Sequence, residues 1–111
     1  MARDARAEFV DRVKAIDPIF KRGDLKAFWP LLRSLVEFAP ERVDLSKKKS
    51  HYLASLAARS LARGAPEAAL EFLEFAERTL DASHLTPFLI DERADYRLQA
   101  QAALRLESDP S

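Results

Sequence analysis

The chain has 111 residues, of which 48% are hydrophobic and 32% charged, and its formal net charge is zero. This length fits one compact domain of roughly 100 to 150 residues, and the balanced charge argues against a chain-wide electrostatic attraction to nucleic acid or anionic lipid. The absence of cysteine excludes disulfides, thiolate metal ligands and a thiol nucleophile.

The composition predicts an all-α fold. Glycine occurs only at positions 23 and 64, whereas a β-sheet domain needs a turn about every 8 to 12 residues. Alanine, leucine and arginine, which favour helices, are the commonest residues, and glutamate, another helix former, is also frequent. We therefore expect a single helical domain over residues 1–106, followed by a frayed tail over residues 107–111.

The first two helices are predicted to form a hairpin. Apolar residues repeat with helical spacing up to Ile16, and Asp17 with Pro18 predicts a kink or a fresh turn. Gly23 suits the left-handed residue after a helix, and Asp24 suits the cap of the next one. The first helix is expected over 4–16 and the second over 25–38.

Three more helices follow. Asp44 or Ser46 is a candidate cap for the third helix, and Gly64 is expected to end it. Pro66 opens the fourth helix at a position where proline is tolerated, and Thr86 is expected to cap the fifth. These helices are predicted over 45–63, 66–80 and 87–106.

Charge is segregated between two neighbouring segments. Residues 45–63 carry five cations and no acid, whereas residues 64–81 carry five acids and one cation. The basic segment is either a binding strip or a solvated helix whose charges pair with the acidic fourth helix. Its cations are Lys47, Lys48, Lys49, Arg59 and Arg63.

The third helix carries Leu53, Leu56 and Ala57, Gly64 lies in the turn, and the fourth helix carries Ala69, Leu73 and Ala76 at spacings of four and three. With these residues the two helices resemble a hairpin of the tetratricopeptide family, a repeat of about 34 residues. A weaker copy precedes it, around Gly23. Ser60 and Asp81 depart from the family pattern, and so does Phe28 in the weaker copy. The resemblance covers most of the chain. It implies about five helices in antiparallel hairpins, either as a right-handed stack or as a compact bundle, with the fifth helix capping the last hairpin.

The residues offer little for catalysis or metal binding. His51 and His84 are the only imidazoles, and we expect no carboxylate at a ligand-like spacing on a face shared with either of them. There is no glycine-rich phosphate loop and no recognisable nucleophile with its base. We therefore predict a non-enzymatic protein with no catalytic residue, cofactor or metal site. Phe28 and Trp29 fit either a binding hot spot or, preferably, the core.

The resemblance implies an interaction module or adaptor whose groove, between successive first helices, receives a peptide or helix of a partner protein. The candidate partner-binding residues are Lys48, Lys49, Tyr52, Arg59 and Arg63, and their charge favours an acidic ligand. A homodimer that covers exposed apolar ends is one alternative, and weak nucleic-acid binding through residues 47–49 is another. The charged N-terminus and the lack of a long apolar run predict a cytoplasmic protein.

Overall fold

The computed structural model describes residues 4–108, and these residues form five α-helices and one short 3₁₀ helix, without a β-strand. The all-α prediction with about five helices is confirmed. The helices are α1 (Ala5–Lys21), α2 (Leu25–Glu37), α3 (Val43–Ala62), α4 (Pro66–Thr79) and α5 (Pro87–Ser108), and the 3₁₀ turn is Ala82–His84.

Backbone contacts divide the chain into two compact units, Met1–Leu45 and Ser46–Ser111. The first unit contains α1, α2 and the first three residues of α3, and the second contains the rest of α3 with α4 and α5. A single domain over residues 1–106 stays a prediction. Helix α5 continues to Ser108, two residues beyond its predicted end, and residues 109–111 of the predicted frayed tail lie outside the described residues.

The first unit is built on a hairpin of α1 and α2, which pack against each other. Gly23 adopts the left-handed conformation with φ +82°, and the Asp24 side chain accepts a hydrogen bond from the Ala27 N–H at 3.2 Å. The predicted roles of Gly23 after the first helix and of Asp24 as the cap of the second are both confirmed. Phe20 and Phe28 then meet across the hairpin with ring centroids 5.4 Å apart, and both side chains are fully buried.

The first helix does not end at Ile16 as predicted, because α1 runs through Asp17 and Pro18 to Lys21. Pro18 lies in the last turn of α1 and removes only its own donor, and its carbonyl still accepts from the Arg22 N–H at 3.1 Å. Burial of Phe20 beyond the proline favours continuation of the helix. Pro30 is likewise accommodated inside α2.

The start of α3 also differs from the prediction, since the helix begins at Val43 and neither Asp44 nor Ser46 caps it. Asp44 lies in the first turn, where its carboxylate binds the side chains of Arg42 and Arg6. Ser46 is buried. The carboxylate is used in a tertiary ion pair, so it does not serve as a local cap.

In the second unit the predicted turn residues are confirmed. Gly64 has φ +77°, Pro66 is the first residue of α4, and the Thr86 hydroxyl accepts from the Leu89 N–H at 3.4 Å. Helices α4 and α5 of this unit pack against each other. Helix α5 therefore packs on α4, as expected of a helix that covers the last hairpin.

Each unit has its own set of buried apolar side chains. Phe28 is fully buried, which confirms its place in the core, whereas Trp29 is half-buried. In the first unit the buried residues include Phe9, Ile16, Phe20, Phe28, Leu32 and Leu35. In the second they include Leu53, Leu56, Ala57, Ala69, Phe72, Leu73, Ala76 and Ala100.

Candidate partner-binding surfaces

Four of the five predicted partner-binding residues follow one side of α3 and the turn after it, and we call them the basic stripe: Lys48, Tyr52 and Arg59 in α3, and Arg63 directly after its end at Ala62. The Arg63 N–H still donates to the Arg59 carbonyl at 3.2 Å, so Arg63 continues the helical spacing. Their spacings of four, seven and four residues return to nearly the same side of an α-helix. Lys48 and Arg63 are exposed, and Tyr52 and Arg59 are half-buried. The helix and the turn after it therefore align three cations and one phenol over about four turns.

Lys49, the fifth predicted residue, does not belong to this surface. Only 2% of its area is exposed. Its position follows from helical spacing, because Leu53 and Leu56 come four and seven residues later and both are fully buried. The expectation that Lys49 contacts a partner beside Lys48 is therefore not supported by its placement.

Two cations of the basic segment, Lys47 and Lys48, do not pair with the acids of α4. Within residues 4–108, neither Lys47 nor Lys48 takes part in an ion pair. The acid near the end of α4, Glu77, pairs instead with Arg97 of α5. Both lysine ammonium groups are therefore available to an external anion.

A shallow depression of about 310 Å³ lies on α5, and we call it the α5 depression. Phe88 provides an apolar wall and is itself 70% exposed. Carboxylates and an aromatic ring on one surface suit a cationic side chain with an apolar stem. The lining residues are Phe88, Asp91, Glu92, Asp95, Tyr96 and Gln99.

One contact joins α3 to the α5 depression. His51 Nδ1 lies 3.4 Å from Glu92 Oε1, and the His51 side chain is well exposed whereas that of Glu92 is mostly covered. His51 precedes Tyr52 of the basic stripe, so the helix that carries the cations runs beside the acidic depression. The second unit thus presents surfaces of opposite charge on neighbouring helices.

Helix α5 also exposes large apolar side chains to solvent. Phe88, Leu98 and Leu106 are 70%, 62% and 78% exposed, and they lie near the start, middle and end of the helix. These exposed apolar residues were not predicted from the sequence, although Asp91, Leu98 and Arg105 recur every seven residues and so mark one side of the helix.

Two further properties concern metals and membranes. Among the described residues, no group of three or more His, Asp or Glu side chains is placed to hold a metal ion. None of the helices within residues 4–108 combines the length and apolar character needed to cross a bilayer.

Comparisons of the chain with protein-family models, with curated proteins and with solved structures found no match. Membership in the tetratricopeptide family therefore stays a prediction from the sequence.

Proposed function

We propose that this protein is a non-enzymatic interaction module, in which the basic stripe of α3 binds an acidic segment of a partner protein. The observation that carries the proposal is the alignment of Lys48 and Arg59 along one side of α3, continued by Arg63 directly after the helix, with no ion pair to Lys48 within residues 4–108. The likeness to tetratricopeptide hairpins supports it, because such hairpins present their first helix to a ligand. The expected cytoplasmic location remains part of this proposal.

The chemistry of the stripe favours carboxylates on an extended or helical ligand. Arginine offers planar, bidentate hydrogen bonding to a carboxylate, and the spacing of Lys48, Arg59 and Arg63 covers about 22 Å along the helix axis. Tyr52, half-buried between Lys48 and Arg59, adds an aromatic surface with little loss of side-chain entropy. A ligand with acids at intervals of about three or four residues on a helix would match this pattern.

Electrostatic attraction between exposed groups is screened by salt, with a Debye length near 10 Å at about 0.1 M. We therefore expect the affinity for an acidic ligand to fall as ionic strength rises. Most of the change is expected in the association rate, because exposed charges steer encounter more than they hold a complex.

Selection from a display library of random peptides tests the proposal. The immobilised protein is expected to enrich peptides of net negative charge. Calorimetry should then show at least about tenfold weaker binding to the triple variant Lys48→Glu, Arg59→Glu, Arg63→Glu, since three attractive contacts become repulsive.

A matched control reverses exposed charges on α4 through Glu67→Lys, Glu71→Lys and Glu74→Lys, which should leave the affinity within about twofold. Enrichment of neutral or basic peptides, or equal binding to the α3 variant and the wild-type protein, would contradict the proposal. Binding of single-stranded oligonucleotides with a steep salt dependence, in the absence of enriched peptides, would favour the alternative of a nucleic-acid ligand.

A further inference from the structure

The exposed side of α5 is self-complementary. An acidic and aromatic depression lies at its N-terminal half, lined in part by Phe88, Asp91 and Asp95. Arg105 and Leu106 are exposed at its C-terminal half. The C-terminal half of α5 therefore carries a basic residue beside an apolar one, and its N-terminal half carries a depression that suits such residues.

The charged residues of this side are spaced symmetrically about Leu98. Asp91 lies seven residues before Leu98 and Arg105 lies seven residues after it. Seven residues are nearly two full helical turns, so the three side chains share one side of α5. In an antiparallel pair of α5 helices centred on Leu98, Asp91 of each copy is opposite Arg105 of the other.

We propose that α5 is the homodimerisation surface of this protein and that two copies pair antiparallel through it. Leu98 then packs against its own copy at the centre, and Leu106 of each copy reaches the end of the other helix that carries Phe88. Small side chains at Ala94 and Ala102 flank Leu98 and allow close approach of the two helices.

The charges on α5 favour a second copy of the chain as the occupant of this surface, with its α5 helix antiparallel to the first. A parallel pair of α5 helices would place Asp91 against Asp91 and Asp95 against Asp95, which is repulsive. The antiparallel pair replaces the Asp91–Asp91 contact with two symmetry-related ion pairs between Asp91 of one copy and Arg105 of the other. A two-fold interface requires such self-complementarity. Three exposed large apolar residues per copy supply the hydrophobic contact. This surface is separate from the basic stripe on α3, so the proposal does not depend on the proposed function.

Sedimentation velocity with exchanged charges tests this geometry. Wild-type protein is expected to show a concentration-dependent dimer. Asp91→Arg alone and Arg105→Asp alone should each weaken dimerisation by at least about tenfold, because both ion pairs become like-charge contacts.

An equimolar mixture of the two variants should dimerise again. In a mixed dimer the arginine introduced at position 91 of one copy faces the aspartate introduced at position 105 of the other. The second pair is the native one, Arg105 of the first copy with Asp91 of the second. Glu71→Arg on α4 and Lys14→Glu on α1 serve as charge-matched controls and should dimerise like the wild type.

Disulfide trapping provides a second measurement on a chain that has no native cysteine. Leu98→Cys should form a covalent dimer under mild oxidation, because the axis brings its two copies together. Leu106→Cys is a matched exposed control, whose two copies lie about 24 Å apart, too far for a disulfide.

The expected results are recovery in the variant mixture and a covalent dimer at position 98 alone. Wild-type protein that is monomeric at all concentrations, a mixture that stays monomeric, or equal trapping at positions 98 and 106 would overturn the proposal.

Discussion

Arg42 binds Asp44 with two hydrogen bonds, from Nε to Oδ1 at 3.0 Å and from the terminal nitrogen to Oδ2 at 2.9 Å. Arg6, from the start of α1, adds a third at 2.9 Å to Oδ2. The hydrogen bonds from these two guanidinium groups hold the pKa of Asp44 well below its usual value. Asp44 thereby ties the beginning of α3 to α1 within the first unit.

This contact predicts a specific dependence of stability on pH. A carboxylate whose pKa is lower in the folded state contributes stability above its unfolded pKa, near 3.8, and loses that contribution as the pH falls below this value toward the folded pKa. Asp44→Asn should therefore lower the unfolding free energy at neutral pH. The difference from wild type should shrink steadily as the pH falls below 3.8, as followed by chemical denaturation at several pH values. Arg42→Lys, which keeps the charge and loses the paired geometry, should show a smaller loss, and a difference that stays constant throughout the acid range would disprove the assignment.

The core of the first unit gives a second prediction. Phe28 is fully buried against Phe20, whereas Leu31, on the same helix, is 38% exposed. Phe28→Ala should reduce the unfolding free energy by about 3 to 5 kcal/mol through lost burial and a residual cavity. Leu31→Ala should cost under about 1 kcal/mol. Equal losses in urea titrations would show that the two side chains are not placed as described.

Backbone conformation supplies a pair of changes with opposite sign. Ala39 has φ +47°, a region that is strained for any residue with a Cβ, and Gly23 has φ +82°. Ala39→Gly should raise the melting temperature and increase the free energy of unfolding by roughly 0.5 to 1 kcal/mol. Gly23→Ala should lower the melting temperature and decrease the free energy of unfolding by about 1 kcal/mol. A Cβ at position 23 would meet no atom within 4 Å, so the loss is conformational and not steric. Shifts of the same sign would contradict the description.

Lys48 and Lys49 are adjacent in sequence but should respond differently to substitution. Lys48→Ala should leave the unfolding free energy within about 0.5 kcal/mol of wild type and weaken binding of an acidic peptide, because the residue is exposed. Lys49→Ala should cost about 1 to 3 kcal/mol, since the stem of the side chain is packed. Thermal denaturation and calorimetry on both variants check this. Similar stability of the two variants would place Lys49 at the surface after all.

Much of the fold was predictable because local chemistry determines where the helices begin and end. Gly23, Asp24, Pro66 and Thr86 each signal a boundary through a conformational or hydrogen-bonding preference, and the structure uses each of them in that way. The failures have tertiary causes. Helix α1 continues through Pro18 to bury Phe20, a contact that propensity does not describe.

The binding surfaces were predictable only in part. The basic stripe follows from helical spacing. The same spacing places Lys49 with Leu53 and Leu56, but Lys49 was assigned to the surface because it belongs to a run of three charged lysines. The α5 depression escapes prediction because its aromatic and acidic residues look ordinary until the packed side of the helix is known. Asp44 resembles a cap in the sequence because one of its two arginine partners, Arg6, is distant along the chain.

The most direct test of the functional account is a two-dimensional ¹H–¹⁵N NMR titration of the protein with an acidic peptide selected against it. We predict that the largest shift changes fall on residues around Lys48, Tyr52, Arg59 and Arg63, with small changes in α1 and in the C-terminal half of α5. Changes concentrated at Phe88 to Gln99 of α5, or spread evenly over the chain, would contradict the assignment of the basic stripe as the binding surface.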